Sequence, residues 1–304
     1  MTSTGRRAGT ILGGAAAAAL AWGWFEAGWV RLRELDVALP RLPDALDGLR
    51  IAHLADLHLG LPSRGRRSVE RAVDWAAARR PDLVCISGDL VSHPRGEPVL
   101  RELLGRLGER TYAVLGNHDV ERATRLGSPE GRRPTRSGDP ANAASRGGRG
   151  MTRDPFSSSV GLSDLAPAHL LVDDAATVQV RGRRIQIVGV DPRSYRQRRS
   201  EPWRYVDPDA DLRILLCHFP HILDRLPEGA FDLVLSGHLH DGQITIPYGF
   251  GKVRLAHLNW RYTQGVYARP GTTMHVSPGL GTTFVPFRFF ARPEATELVL
   301  HPVR

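Results

Sequence analysis

Lysine is nearly absent from this chain. Lys252 is the only one in 304 residues, so arginine supplies almost all of the 41 basic side chains. The formal charge of +9 and pI near 10.4 would ordinarily point to an anionic partner. An arginine bias that travels with abundant Ala and Gly reads instead as composition. Much of the excess falls in one stretch, Arg122 to Arg153. No dedicated nucleic-acid surface is therefore expected. Cysteine is equally scarce. Cys85 and Cys217 each lie in an apolar run beside polar motif residues, and read as core thiols rather than a disulfide. No internal repeat is evident, and no apolar run is generously long. What is present is a hydrophobic fraction of 41%, enough for a packed core.

The N-terminus carries an uncharged stretch from Ala8 to Phe25. Arg6 and Arg7 precede it, and Trp22, Trp24 and Phe25 crowd its far end as interfacial aromatics do. At about 18 residues it is a marginal span. We expect residues 1–28 to be a membrane anchor with a transmembrane helix. A cleaved export signal and a buried soluble helix are the alternatives.

Beyond it the pattern is α/β. Ile51 to Leu54, Leu83 to Ile86 and Tyr112 to Leu115 are short apolar, β-branched runs that read as buried strands. Helical spacing separates them at Ser68 to Arg79 and Pro98 to Leu107. This βαβαβ order predicts a parallel sheet. From Glu121 to Ser159 apolar periodicity vanishes, which predicts a flexible insertion. Strands resume at Ala168 to Val172, Thr177 to Val180, Ile185 to Val190, Leu212 to Leu216 and Phe231 to Leu235. A helix is expected near His221 to Leu226. The tail reads as strands at Gln243 to Ile246, Thr273 to Ser277 and Ala295 to His301.

Polar clusters follow several of these strands in a fixed order. They are Asp56-Leu57-His58, Gly88-Asp89, Gly116-Asn117-His118-Asp119, Cys217-His218 and Gly237-His238-Leu239-His240. In an extended segment, i and i+2 side chains share a side, so Asp56 and His58 are expected to reach one metal together, as are His238 and His240. Gly88 permits a tight strand exit before Asp89. The donors are nitrogen and oxygen only, which suits Mn, Fe or Zn and leaves the choice open.

The complete ordered set resembles the calcineurin-like metallophosphoesterase family, from about Arg50 to the C-terminus. The hydrophobic N-terminus, the segment Leu49 to Asp56 and the tail Gly279-Leu280-Gly281-Thr282-Thr283 are similar to a bacterial branch that is often membrane-anchored or exported. The resemblance implies a four-layer α/β/β/α sandwich over residues 29–304. It implies two divalent metal ions, one held by Asp56, His58, Asp89 and His240, the other by Asp89, Asn117, His218 and His238. It places His118 against the substrate as proton donor or phosphate-polarising group. Asp119 would orient His118 or anchor its loop. The remaining histidines read as ordinary core or surface residues.

The expected activity is phosphodiester hydrolysis by a metal-activated water, on a lipid-linked or cell-envelope substrate, with the catalytic domain on the extracytoplasmic side. The aromatic cluster Phe284, Phe287, Phe289 and Phe290 reads either as core packing or as an apolar rim suited to such a substrate. A phosphomonoesterase or nucleotide phosphodiesterase in solution, an exported soluble form and a non-catalytic metal-binding scaffold are the alternatives.

Overall fold

Apolar side chains on successive strand residues point to opposite faces, and here both faces are covered. On the strand Leu83–Ser87, Leu83 and Cys85 enter one core while Val84 and Ile86 enter another. The computed structural model describes residues 3–120, 162, 164–249, 251–255 and 261–303, with side chains from residue 12 onward. The insertion expected at about 121–159 lies outside these residues.

One sheet runs in the spatial order β1 (Arg31–Leu39), β14 (Glu294–Pro302), β2 (Leu49–Leu54), β3 (Leu83–Ser87), β4 (Thr111–Val114) and β5 (His169–Leu170). The steps from β2 through β5 are parallel, as the βαβαβ reading requires. The terminal β14 is antiparallel to β2 and parallel to β1. The second sheet runs β12 (Gly265–Arg269), β13 (Thr272–Val276), β9 (Leu233–Ser236), β8 (Leu212–Leu216), β7 (Arg183–Gly189) and β6 (Asp174–Val180). Its four inner strands are parallel and both outer pairs antiparallel. Ile51, Leu83, Ile187, Ile214 and Leu298 belong to the core between the sheets.

Helices complete the outer layers. Helix α2 (Gly65–Arg79) buries Val69, Ala72, Val73 and Ala76, one apolar stripe at helical spacing. Helix α3 (Glu97–Leu107) buries Leu100, Leu103 and Leu104 beside it. On the far sheet the cover is thinner. The short α4 (Pro192–Arg196) contributes Tyr195, and a 3₁₀ stretch, Pro220–Arg225, contributes Ile222 and Leu223. The helix expected near His221 is therefore 3₁₀. The hairpin β10 (Thr245–Tyr248) and β11 (Gly251–Arg254) stands outside both sheets. β11 and β12 were not anticipated, because Gly and Arg dilute their apolar pattern.

The N-terminal stretch forms helix α1 (Ser3–Ala27). Residues 12–22 are exposed. Its last turn is pinned by Glu26, which accepts from the backbone N–H of Phe290 at 3.0 Å and Ala291 at 2.8 Å. Among the described residues no helix is long and apolar enough to cross a membrane. Ala and Gly fill most of the stretch and bury little apolar area per residue, and its far end is committed to packing on protein.

Candidate metal centre

Every residue of the candidate site follows the end of a strand. Asp56 and His58 come after β2, Asp89 after β3, and Asn117, His118 and Asp119 after β4. From the other sheet, His218 follows β8, and His238 and His240 follow β9. Both sheets thus deliver their loops to one place, as strand ends do in α/β folds.

Strand alternation does not bring the pairs together, contrary to the expectation from their spacing. Asp56 and His58 lie beyond β2 with φ of 51° and 45°. Asp89, His238 and His240 are also left-handed, at 52°, 80° and 51°. Non-glycine residues adopt this region at a cost, and such residues cluster at functional sites. The neighbouring glycines make room for them. A Cβ on Gly88, itself at φ +93°, would meet His218 Nδ1 at 2.8 Å, and one on Gly237 would meet Asp56 Oδ2 at 2.3 Å.

Two groups result, each able to hold a cation: Asp56, His58 and His240, and Asp89, His218 and His238. In the first, His58 Nε2 and His240 Nε2 are 3.0 Å apart, and Asp56 Oδ1 lies 3.4 Å from His240 Nε2. In the second, His218 Nε2 lies 3.1 Å from both His238 Nδ1 and Asn117 Oδ1. Asp89 joins them. Its Oδ2 is 3.4 Å from His58 Nε2 and 3.3 Å from His218 Nε2. The donors are all nitrogen and oxygen, and the ligand atoms within each group lie within 4.8 Å of one another. That donor chemistry fits hard or borderline divalent ions.

Burial sets the protonation of the cluster. It raises Asp56 to about 7 and pulls His58 down to about 3 and His240 well below the usual range. Burial works against the charge of Asp89 too, but His218, His58 and His118 beside it hold its carboxyl well below the carboxylate range. Burial also opposes a charge on His218, and the adjacent Asp89 overrides it, lifting the imidazole to about 9. Buried carboxylates of this kind are stabilised by a bound cation.

The partners Ser92 and Arg288 were not visible in the sequence, whereas Asp119 was expected to anchor its loop. His218 Nδ1 donates to the Ser87 carbonyl at 2.8 Å, which leaves Nε2 facing the site. His58 Nδ1 lies 2.6 Å from Ser92 Oγ. Arg288, fully buried, donates to His240 Nδ1 at 3.0 Å and to the carbonyls of Pro278, Gly281 and Ala291. Asp119 accepts from the backbone N–H groups of Leu90, Val91 and Gly116, and burial raises it to about 7. His118 belongs to neither group. Its ring lies 5.0 Å from that of His58 and 5.9 Å from that of Phe284. It lines a cleft of about 560 Å³ shared with Asp89, His238 and His240 and walled by Ile244, Leu255, Phe284 and Val285. Cys85 and Cys217 are buried free thiols in the cores.

Comparison with known proteins points to one family. The calcineurin-like phosphoesterase family profile matches residues 49–242. A Danio rerio protein described as a transmembrane protein with metallophosphoesterase domain is 31% identical over 286 residues, 88% of this chain. The chain spans only 56% of that relative's length. The Bacillus subtilis metallophosphoesterase YkuE is 26% identical over 96% of this chain and 94% of its own. UDP-2,3-diacylglucosamine pyrophosphatase LpxG of Chlamydia trachomatis is 28% identical over 92% of each. A family match over more than half of the chain, on a four-layer fold whose strand ends gather two groups able to hold a cation, means that this chain belongs to the calcineurin-like phosphoesterase family of metal-dependent phosphoric ester hydrolases.

Proposed function

We propose that the chain is a binuclear-metal phosphodiesterase acting on a lipid-linked or cell-envelope substrate at a membrane. The observation that carries this reading is Asp89 Oδ2, which faces both histidine groups at 3.3–3.4 Å. Asp56, His58, Asp89 and His240 would hold one ion, and Asp89, Asn117, His218 and His238 the other. Two divalent ions of the Mn, Fe or Zn type bound there supply Lewis-acid polarisation of the phosphoryl oxygens and a lowered pKa for water.

The protein's own groups do the rest. Asp89 fixes the distance between the two halves of the site. The Ser87 carbonyl holds the tautomer of His218. Asp119 clamps the loop that carries Asn117 and His118 through three backbone hydrogen bonds. His118, at the cleft and outside both groups, gives a proton to the departing oxygen or stabilises its charge. The walls Ile244, Leu255, Phe284 and Val285 are apolar, which suits a phosphoryl group attached to a lipid; the LpxG relative's name describes a pyrophosphatase of a diacylated sugar nucleotide. Residues 1–28 serve in this reading as the membrane attachment segment and residues 29–304 as the catalytic domain, held on the extracytoplasmic side. Relatives described as transmembrane support the attachment.

A chromogenic phosphodiester assayed with Mn²⁺, alongside metal analysis of the same sample, tests the reading. Wild-type protein should turn over with two ions per chain. Asp89→Asn should lose most activity and metal while its circular dichroism is unchanged. Near-wild-type turnover of that variant at full metal occupancy would overturn the bridging role.

A further inference from the structure

Large apolar side chains left in solvent gather on three segments of this molecule. The end of α1 and the turn after it expose Trp22, Trp24, Phe25 and Trp29. The β10–β11 hairpin exposes Ile246, Tyr248 and Val253. The segment 284–290 exposes Phe284, Val285 and Phe290. These segments are far apart in sequence but bonded to one another. Arg288 N donates to the Gly23 carbonyl at 3.0 Å, and the rings of Trp24 and Phe287 meet at 6.3 Å. Thr245 N donates to the Phe289 carbonyl at 2.9 Å, and Lys252 Nζ donates to that of Phe290 at 2.7 Å.

The charge on this patch has one outward sign. Arg292 lies over the Trp29 ring at 3.7 Å and Arg64 over the Phe25 ring at 5.7 Å. Arg31 and Lys252 line the same cleft as Trp22 and Trp29. Glu26, Asp241 and Glu294 line this cleft too, but each is buried and already bonded. Glu26 is buried against backbone N–H groups. Asp241 is buried between Lys252 and Arg254, and Glu294 is buried and paired with Arg31. Tryptophan, phenylalanine and arginine presented together match the headgroup region of an anionic bilayer. Residues 12–22 of α1, exposed and without a charged side chain, continue the same apolar surface.

We propose that the end of α1, the β10–β11 hairpin and the segment 284–290 form one docking face for an anionic bilayer surface, with the mouth of the metal cleft opening onto the lipid. The second half rests on the phosphoester reading above. Phe284 and Val285 belong both to this patch and to the cleft wall beside His118. A phosphoester headgroup thus enters the cleft while its acyl chains stay in the bilayer.

The test uses the full chain and vesicles of phosphatidylglycerol with phosphatidylcholine, against phosphatidylcholine alone. Cys85 and Cys217 are fully buried, so an environment-sensitive dye labels an introduced thiol selectively. A dye at Tyr248→Cys should shift to the blue on anionic vesicles, and one at Tyr205→Cys, outside the patch, should not. The double variant Ile246→Ser/Val253→Ser should partition at least tenfold less onto anionic vesicles. It should keep wild-type turnover of a small soluble phosphodiester, which also shows that it folds, and lose turnover of a vesicle-embedded one. Wild-type partitioning by the double variant would overturn the proposal. So would a shift at position 248 that grows with protein concentration without lipid, since that marks a protein–protein face. Should neither phosphoester be hydrolysed while the 248 shift persists, the docking face stands and the catalytic reading fails.

Discussion

Asn117, His118 and Asp119 are consecutive, yet their side chains take three different tasks. Asn117 turns toward His218, Asp119 turns back onto backbone N–H groups, and His118 faces the cleft. Residues 117–120 are helical, and a helix fans successive side chains about 100° apart, which is how neighbours separate so completely. Removing His118 should therefore spare the metal groups. We expect His118→Ala to lower kcat by roughly 10²–10⁴ with both ions retained. The loss should shrink for substrates with good leaving groups, which need less protonation. A loss independent of the leaving group would count against the acid role.

At the scale of elements, the segment from Pro278 to Ala291 has no regular structure of its own, and one arginine organises it. The Arg288 guanidinium is lowered by burial only to about 10, so it stays charged at neutral pH. It ties three carbonyls and His240 together. Its sequence context offers no signal of this, since His240 is 48 residues away. Arg288→Met would leave those buried carbonyls unpaired, each at about 1–3 kcal/mol. We expect a drop in unfolding free energy of about 3–5 kcal/mol by chemical denaturation. A drop below about 1 kcal/mol would show that water or a neighbour replaces the guanidinium. The glycines and strand ends around the site were better signalled, because Gly before Asp, Asn or His after an apolar run marks a tight exit.

The whole molecule closes over a buried histidine pair that joins its two sheets. His53 on β2 and His275 on β13 meet Nδ1 to Nδ1 at 2.7 Å, and His53 Nε2 lies 2.9 Å from Ser87 Oγ. Burial lowers His275 to about 3 and His53 well below the usual range. Both are therefore neutral when folded, whereas an unfolded histidine titrates near 6.5. Below that pH the unfolded chain binds more protons, so stability falls with pH down toward about 3 and is flat above 6.5. The slope for each histidine is at most about 1.4 kcal/mol per pH unit. Denaturation midpoints measured from pH 7.5 to 4.5, values set by the titration range, should fall more steeply for wild type than for His275→Gln. The carboxylates of the metal site are common to both proteins and cancel. Equal slopes would mean that this pair charges freely in the fold.

Local sequence determined the strands, the main helices and the order of the polar motifs. Continuous apolar runs such as Leu83 to Ile86 and Leu212 to Leu216 admit little else than a strand covered on both faces, and the stripe Val69, Ala72, Val73 and Ala76 reads directly as α2. The motif order also singled out the residues that the fold gathers into the two candidate metal groups. Only the tertiary structure decided how they meet. The left-handed turns at Asp56, His58 and His240 replace the alternation expected from spacing. The contacts of Arg288 with His240 and of His53 with His275 cross 48 and 222 positions of sequence. The apolar N-terminal stretch, legible as a helix, is held at its end by Glu26 on the backbone N–H groups of Phe290 and Ala291, more than 260 positions away. The physical reason is range: periodicity and turn chemistry act over a few residues, whereas these partners are chosen by how two sheets and their loops pack.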